Sequence, residues 1–319
     1  MTMKKFIVFI AITSIFVLSL VLGVNAEPFK VAFIMPSTVN DFAWSQSMYD
    51  ALMTIQEEMG EDEFQFDYSE SMFVVADAAA AIRDYASEGY NLVIAHGSQY
   101  GSSLVEIAPD FPKTSFAWGS TANVFTDQGI TNIFAYEPLA EQGGFVNGVL
   151  AAKLSQTGIF GVIGPIETGD AKHYTEGYTA GIKSVNPDAK INVTWIGSYS
   201  DVALASEAAQ THMDAGADVL TGTSQMVVGA IGVAEQRGAY WFGYDVDQSS
   251  LAPQHVVSSV DVVWAVALRP MIEMIKKGEM GGKIFTLNLE NGGLKIAVND
   301  EALVGKTIED IIKGNIKLR

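Results

Sequence analysis

Two spacings of apolar residues alternate along this chain. Short apolar runs, such as 29–35 (FKVAFIM) and 92–96 (LVIAH), precede segments in which apolar residues recur at every third or fourth position. The first of these segments carries Trp44, Met48, Leu52 and Ile55. With strands roughly 25–30 residues apart, the alternation predicts right-handed βαβ units and a parallel sheet.

The alternation occurs in two series, which predicts two similar α/β lobes. The predicted strands of the first series are residues 29–35, 64–68, 92–96 and 114–118. Those of the second series are residues 159–163, 191–196, 219–221 and 239–244. Ligands of open parallel sheets bind beyond the carboxyl ends of the strands. We therefore expect a cleft between the lobes, lined by the loops that follow the strands.

The last part of the chain predicts two more strands, 256–260 and 284–289, around a helix over 263–277. These elements are too few for a third core, so we expect the chain to cross back and extend both lobes. The expected first lobe is 27–136 plus 251–281, and the expected second lobe is 137–250 plus 282–319. The expected hinge lies near Tyr136, Ser250 and Gly281.

The first 26 residues have the layout of a secretory signal peptide. Lys4 and Lys5 precede an apolar run over 6–23, and the small residues of Val24-Asn25-Ala26 stand before Glu27. The pattern predicts that residues 1–26 are cleaved on export. The alternative is a retained N-terminal anchor, since the apolar run is about long enough to span a membrane.

Composition narrows the classes of function. The chain has 37 Asp and Glu against 19 Lys and Arg, a net charge of −18, which argues against nucleic acid or an anionic membrane as partner. It has no Cys, which excludes disulfides, thiolate metal sites and thiol nucleophiles. Without a Cys after the signal peptide there is also no site for a lipid anchor on a mature N-terminal Cys. A free periplasmic protein is the simplest prediction.

Catalytic signatures are missing from the sequence. It contains no phosphate-binding loop, no dinucleotide fingerprint, no His-Glu-x-x-His and no Gly-x-Ser-x-Gly elbow. The four His residues are scattered, and Asp245-Val246-Asp247 lacks the Gly and the downstream Glu of a calcium loop. We therefore predict no catalytic residue, no metal ligand and no cofactor.

Aromatic and short polar residues do occur in the loops that should line the cleft. Trp44 follows the first strand and offers a flat platform for a planar ring, and Tyr199 would face it from the second lobe. Asp245 follows a second-lobe strand and can accept hydrogen bonds from ring nitrogens or hydroxyl groups. The predicted ligand-binding residues are Asn40, Asp41, Trp44, Ser98, Trp118, Tyr199, Ser224 and Asp245. The alternatives are a helix cap for Asn40 or Asp41 and a core position for Trp44.

Several motifs resemble the basic membrane protein family, the purine-nucleoside-receptor-like solute-binding proteins of ABC transporters. They are 40–46 (NDFAWSQ), 141–152 (EQGGFVNGVLAA), 161–164 (GVIG), 174–183 (YTEGYTAGIK), 197–201 (GSYSD), 216–220 (GADVL) and 243–248 (GYDVDQ). The resemblance implies a type I periplasmic binding protein fold, with Rossmann-like lobes, a multi-strand hinge and the ligand between the lobes. It also implies that Trp44 and Tyr199 are the two rings that sandwich a purine, and that Asp245 is the second-lobe acid.

Two departures from the family bear on the ligand. The family often has an Asp after the fourth strand and a Lys in the region of 258–264, and this chain has neither. A free nucleobase is therefore as open as a nucleoside. The sequence predicts a monomeric periplasmic protein that binds a purine and delivers it to an ABC permease. The alternatives are a sensor subunit of the same fold and a nucleoside-processing enzyme.

Overall fold

A computed structural model describes residues 27–318, in which strands and helices alternate. The predicted signal peptide, residues 1–26, lies outside the described residues. The strands are β1 Phe29–Ile34, β2 Phe64–Ser69, β3 Leu92–His96, β4 Ser115–Gly119, β5 Ile133–Pro138, β6 Ile159–Gly164, β7 Lys190–Trp195, β8 Val219–Gly222, β9 Tyr240–Asp245, β10 Val256–Val262, β11 Ile284–Leu287 and β12 Leu294–Val298. The helices are α1 Trp44–Met59, α2 Val75–Ser87, α3 Gly101–Ile107, α4 Ala140–Leu154, α5 Gly169–Val185, α6 Val202–Asp214, α7 Val227–Arg237, α8 Ala265–Lys276 and α9 Ala302–Ile312.

The strands form two six-stranded sheets of matching topology. The first has the order β11-β5-β4-β3-β1-β2 and is parallel throughout. The second has the order β12-β10-β9-β8-β6-β7 and is parallel except for β12, which runs antiparallel to β10. Helices connect most successive strands, as is usual for parallel pairing, but β9 and β10 are joined by a loop over 246–255. The predicted α/β fold with two parallel-sheet lobes is confirmed.

The division of the last third of the chain differs from the expected one. We expected 251–281 in the first lobe, but β10 pairs with β9 and belongs to the second sheet. We expected 282–319 in the second lobe, but β11 pairs with β5 and completes the first sheet. A short apolar strand fits either sheet, so its apolar pattern does not specify which sheet it joins.

Three chain segments cross between the lobes, at 138–140, 262–265 and 287–294. Tyr136 lies in β5 close to the first crossing, but Ser250 and Gly281 are not hinge residues. Ser250 lies in the loop between β9 and β10 of the second sheet. Gly281 packs against the first lobe, where an added Cβ would stand 2.4 Å from the backbone nitrogen of Ile133. The hinge is therefore three-stranded, with two of its segments placed differently from our expectation.

Glycines let α4 and α5 pack with their backbones in contact. A Cβ added to Gly144 would lie 2.3 Å from the carbonyl oxygen of Tyr174, and one added to Gly148 would lie 2.2 Å from that of Tyr178. Backbone atoms cannot yield as a flexible side chain can, so the small residues of α4 set this close approach. The pairing fixes α5, whose N-terminal end lies at the cleft, on the second lobe.

Candidate ligand-binding cleft

A cavity of about 470 Å³ lies between the lobes, within the roughly 300–1,000 Å³ typical of small-molecule sites. Its first-lobe wall consists of Pro36, Trp44, Phe73, Val75, Gly97, Ser98, Gln99 and Ser120. Its second-lobe wall consists of Thr168, Gly169, Asp170, Ala171, Tyr199, Thr223, Ser224, Gln225, Tyr244 and Asp245. Almost all of these residues follow the carboxyl end of a strand, as expected for open parallel sheets.

Five of the eight predicted site residues line this cavity: Trp44, Ser98, Tyr199, Ser224 and Asp245. The other three, Asn40, Asp41 and Trp118, do not line it. Contact between these five residues and a ligand stays a prediction. The geometry of each explains the difference.

Trp44 is both a structural residue and a wall of the cleft. Its ring stacks on that of His96 with centroids 4.2 Å apart and planes 11° apart, and its Nε1 donates to the carbonyl oxygen of His96 at 3.1 Å. The edge of Trp264 packs against it, with centroids 5.1 Å apart. Trp44 therefore presents a fixed aromatic platform to the cavity, because its orientation is set by contacts behind it.

His96 supports that platform as a neutral ring. Burial lowers its pKa to about 3. Its Nε2 lies 3.0 Å from the carbonyl oxygen of Trp44, so Nε2 carries the proton, and Nδ1 accepts from the hydroxyl of Tyr136 at 2.8 Å. Both ring nitrogens are satisfied within the first lobe, which leaves His96 no free atom for a ligand.

Asp41 binds backbone amides at the start of helix α1 and does not line the cavity. Its Oδ1 accepts from the backbone nitrogens of Ala43 and Gln46, both at 3.0 Å, and its Oδ2 accepts from that of Ser45 at 3.2 Å. Both carboxylate oxygens are thus used on amides that the helix leaves without partners. Asn40 is exposed, and its Oδ1 accepts from the hydroxyl of Thr38 at 2.9 Å.

Trp118 packs behind the cleft wall. Its ring stacks on Phe125 with centroids 5.2 Å apart, and its Nε1 donates to the carbonyl oxygen of Gly97 at 3.1 Å. An added Cβ on Gly101 would lie 2.2 Å from this ring, so the indole fills the space that the glycine leaves. Trp118 holds the loop after β3 in place, and that loop carries Ser98 to the cavity.

Asp245 and Ser224 form a strained polar pair on the second lobe. Both have left-handed backbone conformations, with φ of 82° for Asp245 and 71° for Ser224. Asp245 is buried, and its Oδ2 accepts from the backbone nitrogen of Ser224 at 3.3 Å. Desolvation, then the nearby carboxylate of Asp41, raises the pKa of Asp245 well above its usual range. Strained backbone at a cavity wall and a destabilised carboxylate both indicate a functional position.

Tyr199 lies half-buried in the loop after β7. Its carbonyl oxygen accepts from the backbone nitrogen of Met226 at 3.1 Å, which ties this loop to the start of α7. Burial, and then Asp170, raises the pKa of its phenol, so the hydroxyl keeps its proton. The loop is thus anchored through its backbone, and the side chain borders the cavity opposite the first lobe.

Several lining residues are not among the predicted site residues. Phe73 follows β2, and its side chain is 52% exposed although it borders the cavity. Its position after a strand was a usable signal, but we assigned no site residue to that loop. Three further lining residues are buried on the second lobe: Tyr244, Thr223 and Gln225. Asp170 lies in the first turn of helix α5. Tyr244 has the pattern of an ordinary core residue of a strand, so nothing in the sequence distinguished it.

One hydrogen bond joins the lobes beside the cleft. Gln248, fully buried in the loop after β9, donates through Nε2 to the carbonyl oxygen of Phe42 at 3.1 Å. Phe42 itself has a left-handed φ of 53°. The amide oxygen of Gln248 accepts from Nε1 of Trp241 at 2.8 Å. The amide is therefore held by the second lobe and reaches the turn that begins α1 of the first.

A second cavity, of about 690 Å³, lies on the hinge side and shares Asp245 with the first. It includes Asp261 at the end of β10, one of whose oxygens, Oδ1, is buried without a hydrogen-bond partner among the described residues. Burial raises the pKa of Asp261 to about 7, Asp247 adds to the rise and Lys295 opposes it. Across residues 27–318, no group of three or more acidic or His side chains is arranged to hold a metal ion.

The arrangement of two lobes around a cavity is a known fold. An ABC transporter solute-binding protein of Conexibacter woesei has the same fold, with a TM-score of 0.75 and 21% identity, covering 91% of this chain and 98% of that one. A type I solute-binding protein has this arrangement of two parallel-sheet lobes with a cleft between them.

The chain belongs to the Bmp family, described as ABC transporter substrate-binding protein PnrA-like, whose sequence pattern matches residues 29–318. It is 28% identical over 271 residues to a purine-binding protein of Brucella abortus, covering 85% of this chain and 75% of that protein. It is 29% identical over 282 residues to the transcriptional activator protein med of Bacillus subtilis, covering 86% of each. The family resemblance expected from the sequence is confirmed. Among residues 27–318, no helix is both long and apolar enough to cross a membrane.

Proposed function

We propose that this protein binds a purine, as the free base or the nucleoside, in the cleft between its lobes. The observation that carries the proposal is the position of Trp44 and Tyr199, which border one cavity from opposite lobes. Two aromatic side chains on opposite walls suit a flat ring, because each face of the ring gains a stacking contact. The name of the Brucella abortus relative supports a purine as the ligand.

The polar groups of the cleft support a base more directly than a sugar. Asp245 and Ser224 lie on the second-lobe wall, and the first-lobe wall contributes the apolar Pro36, Phe73 and Val75 beside Trp44, together with Ser98, Gln99 and Ser120. The acid and the lysine that members of the family often carry are missing. Binding of the base then dominates, and a ribose is tolerated at the mouth of the cleft without being required.

We further propose that the protein is exported, loses its signal peptide, acts as a free periplasmic monomer and passes its ligand to an ABC permease. Membership of a substrate-binding family supports a transport role and supports binding without chemistry. A sensor role is the second candidate, because a relative of similar identity is named a transcriptional activator.

The test is to identify the ligand. The protein is purified from its native host, denatured, and the released small molecules are identified by mass spectrometry. Calorimetric titration with adenine, hypoxanthine, guanine and their nucleosides then gives affinities. A bound purine or micromolar purine affinity supports the proposal, whereas a sugar, an amino acid or a lipid overturns it. Purine uptake by a strain lacking the gene separates the two roles, since a sensor leaves uptake unchanged.

A further inference from the structure

Two buried hydroxyl groups on the second-lobe wall have no hydrogen-bond partner in the described part of the chain. They are Oη of Tyr244, whose side chain is 1% exposed, and Oγ1 of Thr223, whose side chain is 4% exposed. Both residues line the interlobe cavity. Buried hydroxyls are nearly always paired, because leaving one unpaired forfeits the hydrogen bonds it makes with water.

Some neighbouring hydroxyls of the second lobe are satisfied, although that of Tyr178, which lies away from the cavity, also has no partner among the described residues. The hydroxyl of Tyr174, whose ring centroid lies 4.8 Å from that of Tyr244, bonds to Asn147 at 3.0 Å and to Thr221 at 2.8 Å. Thr221 in turn donates to the carbonyl oxygen of Phe242 at 2.7 Å. Tyr174 and Thr221 do not line the cavity, whereas Tyr244 and Thr223 do.

We propose that the hydroxyls of Tyr244 and Thr223 bind the polar edge of the ligand's ring and so determine which heteroaromatic ligand the cleft accepts. This inference rests on the proposed purine function. Each hydroxyl can donate one hydrogen bond and can also accept at least one. Burial keeps the pKa of Tyr244 well above its usual range, so its hydroxyl remains a donor at every physiological pH.

The two walls orient the ligand accordingly. A ring lying against Trp44 has the apolar side chains of Pro36, Phe73 and Val75 on the first lobe, where Ser98, Gln99 and Ser120 also line the cavity. We place its hydrogen-bonding edge against the second lobe, because the hydroxyls of Thr223 and Tyr244, which have no partner among the described residues, lie there with Asp245. The chemistry that fits is a purine with an oxo or amino group next to a ring nitrogen, which offers adjacent donors and acceptors.

The variants Tyr244→Phe and Thr223→Val each remove one hydroxyl and keep the shape of the side chain. We expect each to weaken binding of an oxo- or aminopurine about tenfold, since a polar ligand atom is left unpaired in a buried site. We expect the unliganded variants to melt at the wild-type temperature or above it. Tyr178→Phe is the matched control, because the hydroxyl of Tyr178 is equally buried and also has no partner among residues 27–318, but lies away from the cavity.

Unsubstituted purine provides the ligand-side test, because it lacks the exocyclic group. The wild type should prefer hypoxanthine or adenine to purine, and that preference should shrink about tenfold in Tyr244→Phe or Thr223→Val but not in Tyr178→Phe. Normal affinities and preferences in both variants overturn the inference while leaving the proposed function intact. A lower melting temperature without a binding defect also overturns the inference, because the hydroxyls would then stabilise the fold and not bind the ligand. Wild-type protein that binds no purine overturns the proposed function itself.

Discussion

The two walls of the cleft use their polar groups differently. On the first lobe, the oxygens of Asp41 accept backbone amides and the indole nitrogens of Trp44 and Trp118 donate to carbonyl oxygens. On the second lobe, the hydroxyls of Tyr244 and Thr223 have no partner within the described residues. These first-lobe groups hold the shape of the lobe beside the cleft, whereas the two second-lobe hydroxyls keep hydrogen-bonding capacity for a ligand.

The difference indicates a division of labour between stacking and recognition. A platform works best when its own contacts fix its orientation, because no entropy is then lost in ordering it on binding. Recognition of a ring edge needs groups that are not satisfied by the protein itself, even at some cost in stability. Backbone strain is present on both sides, at Phe42 in the first lobe and at Ser224 and Asp245 in the second.

The largest effect should come from Trp44→Ala, which removes both a cleft wall and a packing residue. We expect purine affinity to fall about tenfold to a hundredfold. Because Trp44 is half-buried against His96 and Trp264, the free energy of unfolding should also fall, by about 2–3 kcal/mol, less than for a fully buried Trp. Calorimetric titration and denaturant unfolding measure the two quantities.

Tyr199→Ala is the second-lobe counterpart of that change. It should weaken binding nearly as much but leave the unfolding free energy within about 1 kcal/mol, because the ring lies in a half-buried loop. If Trp44→Ala destabilises the protein and yet binds normally, Trp44 is only a core residue and the aromatic sandwich is wrong.

The two acids near the cleft should show opposite defects. Asp41→Ala removes the acceptor of three amides at the start of α1, so we expect a loss of about 1–2 kcal/mol in stability with affinity near that of wild type. Asp245→Asn should weaken binding about tenfold or more and leave stability unchanged or higher, because burial already disfavours its charge. Thermal melting and titration of both variants would refute the division of labour if their defects were exchanged.

The pH dependence of stability should also separate the lobes. In the second-lobe sheet, the folded pKa of Asp261 is raised to about 7, above its ordinary 3.8. The stability that Asp261 contributes in its protonated form is therefore fully present below pH 3.8 and is lost as the pH rises towards 7. In the first lobe, the folded pKa of His96 is lowered to about 3 from 6.5. Its contribution is present above pH 6.5 and is lost as the pH falls towards 3.

Asp261→Asn should therefore raise stability at pH 8, by an amount of order 2 kcal/mol. Between pH 4 and 6.5 the opposite slopes of Asp261 and His96 offset each other in the wild type, so stability of the variant should rise with pH there. Urea unfolding at a series of pH values gives the profile. A variant that parallels the wild type over the whole range would show that Asp261 titrates normally in the folded protein.

The smallest effect should come from Phe73→Ala. Its side chain is 52% exposed, so stability should change by less than about 0.5 kcal/mol. We expect purine affinity to fall about twofold to fivefold, because a ligand in the cleft would cover part of the ring. Phe73→Leu should recover most of the affinity if area, and not aromatic stacking, is what this side chain provides. Wild-type affinity for Phe73→Ala would confine the binding surface of the first lobe to the Trp44 side.

Local patterns in the sequence were sufficient for the α/β class and for most element bounds. The helix expected over 263–277 contains α8, and the strand expected over 92–96 is β3. The periodicity of apolar residues is a local property, so it survives without knowledge of the fold. The same reasoning placed Trp44, Tyr199 and Asp245 at strand ends, and strand ends meet at one edge of a parallel sheet.

Tertiary structure alone decided the rest. Asp41 and Asp245 both follow a strand, but only the fold shows that the first is bound by three amides and the second by one. Strands β10 and β11 could each have joined either sheet. Their pairing depends on where the chain crosses between the lobes, and the apolar pattern does not show this. The unpartnered hydroxyl of Tyr244 is likewise invisible in the sequence. Whether a polar atom finds a partner depends on residues distant along the chain, and sequence spacing does not specify which of them come together.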